Sequence, residues 1–210
     1  MTFDAFLAQR SATDRDALEA YDGETFHGLK DNERHMAEAM LIKDMQAGRH
    51  KAYRGLALLG SVMAIEALKG VFDQVHVPSN AHVRLCDALY LATRDDAYLY
   101  ALRDDVTCEQ PSLARDVIVV LASHAPSAGV LKEAAHVIRQ HYLDEATRAL
   151  AVSTLMVCCG YPALSDDLSP ERLRCERALM AATPTTWSRV TEDIITLARQ
   201  RGYALPCVPF

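Results

Sequence analysis

The chain of 210 residues has no long apolar run. Nowhere do about 18 uncharged apolar residues follow one another, so no segment reads as a membrane-spanning helix. The opening MTFDAFLAQRSATD lacks the basic stretch and apolar stretch of a secretion signal, and a cytoplasmic setting is expected. The six cysteines, Cys86, Cys108, Cys158, Cys159, Cys175 and Cys207, include no CxxC pair. Several occupy apolar positions of helical patterns, where a free thiol acts as a small hydrophobe, which fits a reducing compartment. There is no HExxH and no clustered Cys/His spacing, and so no recognisable metal frame. GxSxG is missing, which removes the common serine-nucleophile elbow. Neither GxGxxG nor GxxxxGK followed by Ser or Thr occurs, so no phosphate-cradling loop is visible. The chain is also short of positive charge, with 22 Lys and Arg against 28 Asp and Glu and a formal net charge of -6. Nucleic acids and anionic membranes both call for concentrated Lys and Arg, so neither is expected as a partner; a basic protein suits this balance better. No cofactor, metal site or catalytic group is expected.

What remains is a folded, helical composition: 50% hydrophobic and 24% charged residues, with no linker of disordered character. Four arginines recur within phrases of similar shape: Arg54 in KAYRGLALL, Arg84 in AHVRLCDAL, Arg115 in SLARDVIVVL and Arg148 in EATRALAVSTL. Their offsets of 30, 31 and 33 residues fall in the range of helical-repeat arrays.

The flanking chain divides accordingly. Residues 1–48 read as an N-terminal cap, in which Thr13 and Asp16 form a capping-box-like pair, 22–30 are irregular around Gly23 and Gly28, and Asp31 caps a helix ending at Gly48. Residues 50–159 carry the paired helices, at 50–59 and 62–72, 81–92 and 96–105, Pro111 to about His124 and 127–141, then from Asp144 to about Cys159. Gly60-Ser61, Pro78 with Ser79 or Asn80, and Pro126 mark the turns. VIVVLAS (117–123) has strand-like propensity, but its place after Arg115 matches that of LALLG after Arg54, which predicts a buried helix. Residues 160–210 read as a C-terminal helical cap. Pro162, Ser165, Asp166 and Asp167 lie in a turn-rich stretch, Ser169-Pro170-Glu171 starts one helix, and Thr183-Pro184 starts the last, with Trp187, Val190, Ile194, Leu197 and Ala198 on one stripe. The tail YALPCVPF is expected to pack back on these helices. The whole is read as one all-α domain.

The arginine phrases resemble HEAT-like repeats, whose unit is a helical hairpin with a small or apolar residue, Arg, two variable positions, Ala, then Leu. Val83-Arg84 with Ala88-Leu89 fits best, Tyr53-Arg54 with Leu58-Leu59 is similar, Ala114-Arg115 with Val119-Val120 is looser, and Thr147-Arg148 with Val152-Ser153 is the most degraded. A second phrase, Ala-x-x-x-Leu, occurs at Ala64–Leu68 and, offset, at Ala97–Ala101. The resemblance implies an all-α, short right-handed α-solenoid of HEAT-like helical hairpins with capping helices at both ends. It also implies arginines that brace neighbouring repeats, for which Asp87, Asp116, Asp144 and Glu145 are available. One such hairpin cannot bury its apolar face alone and must stack on others.

Function is less legible, because such repeats carry architecture rather than chemistry. The short, acidic chain resembles bacterial immunity proteins built from HEAT-like repeats, which implies a non-catalytic inhibitor of a basic toxin. HEAT-like lyases of phycobilins, HEAT-like alkylpurine DNA glycosylases and scaffold subunits are the alternatives. A glycosylase needs a basic groove with an aromatic beside an acid, whereas the single tryptophan, Trp187, lies outside the clear repeats. Asp87 and Tyr90, three and six positions past Arg84, together with Asp95 and Asp96 in the following turn, are the candidate partner-binding residues. Asp104, Asp105 and Glu109, and Asp166 and Asp167, are further acidic turns that would line one edge of a solenoid. Two Glu-x-x-His pairs, Glu24/His27 and Glu133/His136, have the spacing of helical metal ligands, but lack the four-helix setting that uses them. The vicinal Cys158-Cys159 lies within an apolar helix and reads as core.

Overall fold

A computed structural model describes residues 2–11, 21, 24–161, 170–183 and 185–202. The chain is all-α, with no strand among these residues. Its contacts group into two compact units, Met1–Tyr98 and Leu99–Phe210.

The first unit contains α1 (Phe3–Ser11), α2 (Glu24–His27), α3 (Asp31–Gln46), α4 (Lys51–Leu59), α5 (Val62–Phe72) and α6 (Asn80–Thr93). Local chemistry sets most of these boundaries. The Lys30 N–H donates to Glu33 Oε2 at 2.9 Å, so α3 starts one residue earlier than a cap at Asp31 would place it. Gly60, at φ 63°, closes α4 in the left-handed conformation that glycine adopts without strain. Ser61 then caps α5 by accepting from Ala64 N, and Ser79, rather than Asn80, caps α6 by accepting from His82 N. Helix α4 packs against α3, α5 and α6, and α5 packs against α6, so the α4–α5 hairpin stacks on the next helix of the same pattern. Its core includes Leu41, Leu56, Leu68, Leu85 and Leu89, closed at one end by the rings of Phe6, Tyr21 and Phe26 with centroids 5.7–6.1 Å apart. Each such leucine contributes about 1.5–3 kcal/mol relative to exposure. The irregular stretch expected at 22–30 includes the single helical turn α2, because burial of Thr25 and Phe26 in this core outweighs the flanking glycines. The capping pair expected at Thr13 and Asp16 lies outside the described residues.

Helix α7 (Asp96–Ala101) contains the boundary between the units, and α8 (Arg103–Thr107), α9 (Pro111–Ser123), α10 (Ala128–Ile138), α11 (Glu145–Cys158), α12 (Pro170–Ala181) and α13 (Trp187–Gln200) follow. The helix expected over 96–105 is divided at Leu102. Leu99, Leu102 and Val106 are buried on either side of that break, and their spacing suits one helix as well as two, so periodicity could not reveal it. VIVVLAS is helical: Val117, Ile118 and Leu121 are buried while Val119 faces out, a 3.6-residue pattern that overrides β-branched propensity. Pro111 sits in the first turn of α9, Ser127 caps α10 and Asp144 caps α11, accepting from Thr147 N at 2.7 Å. Helix α9 packs on α8, α10 and α11; α10 packs on α11, α11 on α12, and α12 on α13. The α9–α10 hairpin thus stacks on α11 as the α4–α5 hairpin does on α6. On α13 the buried stripe is Trp187, Thr191, Ile194, Ile195 and Ala198, so Leu197 of the expected stripe faces solvent and Thr191 takes a core position. The turn-rich 162–169 and the tail from 203 lie outside the described residues.

Candidate partner-binding surface

The arginine series does not behave as one row. Arg54, on α4, donates through Nε to the Tyr21 carbonyl at 3.1 Å and places Nη1 3.7 Å from Asp87 Oδ2 on α6. The contact joins two successive arginine-bearing helices, although a partly exposed pair at this distance adds only about 0–1 kcal/mol. The charge of Arg115 similarly acts on Asp144. The Thr147 N–H is the main cause holding that carboxyl below its ordinary value; desolvation opposes it, and the Thr147 hydroxyl, the Ala146 N–H and Arg115 add to the lowering. Arg84 stays on its own helix, with Nε 2.8 Å from Asn80 Oδ1. Arg148 donates to the Gln140 carbonyl at 3.1 Å.

The four candidate residues separate into two kinds. Asp87 is partly buried and faces Arg54, and Tyr90 is only 4% exposed, with the Arg94 guanidinium 5.8 Å from its ring. Asp95 and Asp96 are exposed in the turn from α6 to α7, where Asp95 Oδ1 accepts from Ala97 N at 2.9 Å. That turn is made by Arg94 in the left-handed region at φ 58°.

Beside it lies a surface that sequence patterning passed over. Val62 and Met63, 80% and 53% exposed, occupy the first turn of α5, and Glu66 and Lys69 continue along the same face at helical spacing. Lys69 donates to Glu66 at 3.1 Å; this bond is the main cause raising its pKa, and the charges of Tyr98 and Asp95 add to it. Asp95 of the α6–α7 turn is thus in electrostatic reach of Lys69 on the α5 face. The signal for this surface was present in the off-stripe position of Val62 and Met63 relative to Ile65, Leu68 and Phe72. Of the other acidic turns, Asp104 and Glu109 are exposed, Asp105 is buried in α8, and Asp166 and Asp167 lie outside the described residues.

Of the groups considered for metal binding, Glu133 is held in an ion pair. Glu133 accepts Arg103 Nε at 2.7 Å and Nη2 at 3.0 Å, and the same guanidinium lies 4.3 Å from the Tyr100 ring centroid. Burial, then the charges of Arg103 and Arg139, hold His136 below its ordinary pKa, so it is neutral at neutral pH. Glu24 and His27 are exposed ends of the one-turn α2. No group of three or more His, Cys, Asp or Glu among the described residues is placed to hold a metal ion. Burial pushes the Cys158 thiol up to about 11 and the Cys159 thiol up to about 12, with Cys158 and Cys175 adding to the latter, so neither is a thiolate at neutral pH. No described helix is long and apolar enough to cross a membrane. No protein-family model, curated protein or solved structure matches this chain significantly.

Proposed function

We propose that this protein is a non-catalytic, protein-binding module made of HEAT-like helical hairpins in a short α-solenoid, and that it works in the cytoplasm as an immunity-type inhibitor of a basic bacterial toxin. The observation that carries the reading is the exposed set of Val62, Met63, Glu66, Asp95 and Asp96, an acidic strip in which three carboxylates outnumber Lys69. It combines an apolar contact with carboxylates that attract a basic partner, and it belongs to a chain of net charge -6. The stacking of α4–α5 on α6 and of α9–α10 on α11 supports the repeat architecture, and the Arg54–Asp87 contact supports its bracing arginines.

In this reading Asp95 and Asp96 are contact residues, and Asp87 and Tyr90, which are less exposed, are left unchanged. The test follows from that division. A small basic protein co-purified from the native cell is taken as the partner, and its association rate is measured against salt. Glu66→Lys with Asp96→Lys leaves the Asp95 turn bond and the core in place. The double variant should lower the association rate about 3- to 10-fold at low salt with an unchanged circular dichroism spectrum. Binding insensitive to both salt and this charge reversal, or co-purification of nucleic acid instead, would refute the proposal.

A further inference from the structure

The second unit holds a crevice of about 300 Å³ that the partner-binding reading does not use. It opens where the turn after α10 and the turn before α13 meet the first half of α11, and it is lined by Ile138, Arg139, His141, Arg148, Thr183 and Trp187. Two arginines therefore face one small space, and no carboxylate lines it among the described residues, in a chain whose acids outnumber its bases. Arg148 donates to Gln140 O through Nη2, yet its Nε is buried with no hydrogen-bond partner. Buried guanidinium N–H groups are ordinarily satisfied, so Arg148 is left with a hydrogen bond unmade among the described residues. Arg139 forms no ion pair among the described residues; its guanidinium carbon lies 5.6 Å from the Trp187 ring centroid, over a side chain only 2% exposed. Burial, followed by the nearby charge of Arg103, lowers the pKa of Arg139, and both arginines help depress His136. Arg103 has its counter-charge in Glu133, whereas no ion pair holds Arg139 or Arg148 among the described residues.

We propose that this crevice binds a small molecule carrying a carboxylate or phosphate group, held by the guanidinium groups of Arg148 and Arg139, with the apolar part of the ligand against Ile138 and Trp187. Planar guanidinium donors match the oxygens of either anion, and the enclosed size suits a metabolite rather than a polymer. This site is independent of the acidic strip on the first unit.

Trp187 is the only tryptophan of the chain and stands in the crevice wall, so its emission reports occupancy. The protein is titrated with inorganic phosphate and, separately, with succinate, at ionic strength held constant with sodium chloride. A saturable change in emission with one or both is expected, and the two arms separate phosphate from carboxylate recognition. Arg148→Met and Arg139→Gln should each weaken that response at least tenfold with helical content unchanged. Should Arg148→Met fail to fold, Arg139→Gln, at an exposed helix end, decides alone. The proposal is overturned if neither anion gives a saturable response beyond the chloride control, or if the response survives Arg139→Gln undiminished.

Discussion

Gly55 and Gly70 both lie within helices of the first unit, and the same substitution should move stability in opposite directions at the two sites. Replacing a helical glycine by alanine restricts the unfolded chain and favours the helix by about 0.5–1 kcal/mol wherever the new methyl has room. At Gly70, on α5, an added Cβ meets nothing within 4 Å, so Gly70→Ala should stabilise by about that amount. At Gly55, on α4, the added Cβ would come to 3.0 and 3.1 Å from the two methyl groups of Leu41 and 3.2 Å from Tyr21 Cδ2. Leu41 is fully buried on α3 and Tyr21 belongs to the aromatic cluster, so neither yields without disturbing the core. Overpacking of this kind costs about 1–3 kcal/mol, which leaves Gly55→Ala destabilised by about 0–2.5 kcal/mol after the helix gain. Urea unfolding followed by circular dichroism compares the variants directly, and their midpoints should straddle that of the parent. In heat, each kcal/mol corresponds to about 2–4 °C for a chain of this size. A Gly55→Ala protein as stable as Gly70→Ala would refute the claim that close approach of α3 to α4 is what requires glycine at position 55.

Glu133→Gln should destabilise the second unit by about 2–3 kcal/mol. It leaves the Arg103 charge without its carboxylate, beside Arg139, and the discount from the 3–5 kcal/mol of a fully buried pair reflects the partial exposure of Arg103; denaturant midpoints, and recovery of stability on adding Arg103→Met, check this. Burial alone would raise the Asp44 pKa, but hydrogen bonds from Arg10 and Arg49 outweigh it and hold the carboxyl below its ordinary value of 3.8. The stability this contributes is fully present above pH 3.8 and is lost as pH falls through the lower folded value. Asp44→Asn should therefore cost about 1.5–3 kcal/mol at pH 7 and less as the parent is taken into acid, seen as a shallower loss of thermal midpoint below pH 4 in the variant.

Much of the fold was legible because helix starts and stops are local. Ser61, Ser79, Ser127 and Asp144 each accept a bond from a backbone N–H three residues on, and Gly60 needs only its own backbone freedom. The all-α class and the helical state of VIVVLAS followed from spacing that any core would reward. What spacing cannot carry is which face of a helix finds a neighbour. Leu197 is as apolar as Ile194, and only packing left it outside.

The arginine series shows the division most sharply. The sequence by itself determined that four arginines recur with a helical-hairpin period and that acids stand near them. Tertiary structure decided that Arg54 meets Asp87, that Arg84 stays with Asn80, and that Arg148 reaches only a carbonyl and keeps a buried Nε without a partner. It likewise buried Tyr90 while leaving Asp95 and Asp96 in solvent. A repeat places equivalent residues at equivalent positions along the chain, but pairing energy depends on distance and on the water excluded between groups, and those are properties of the packed surfaces alone.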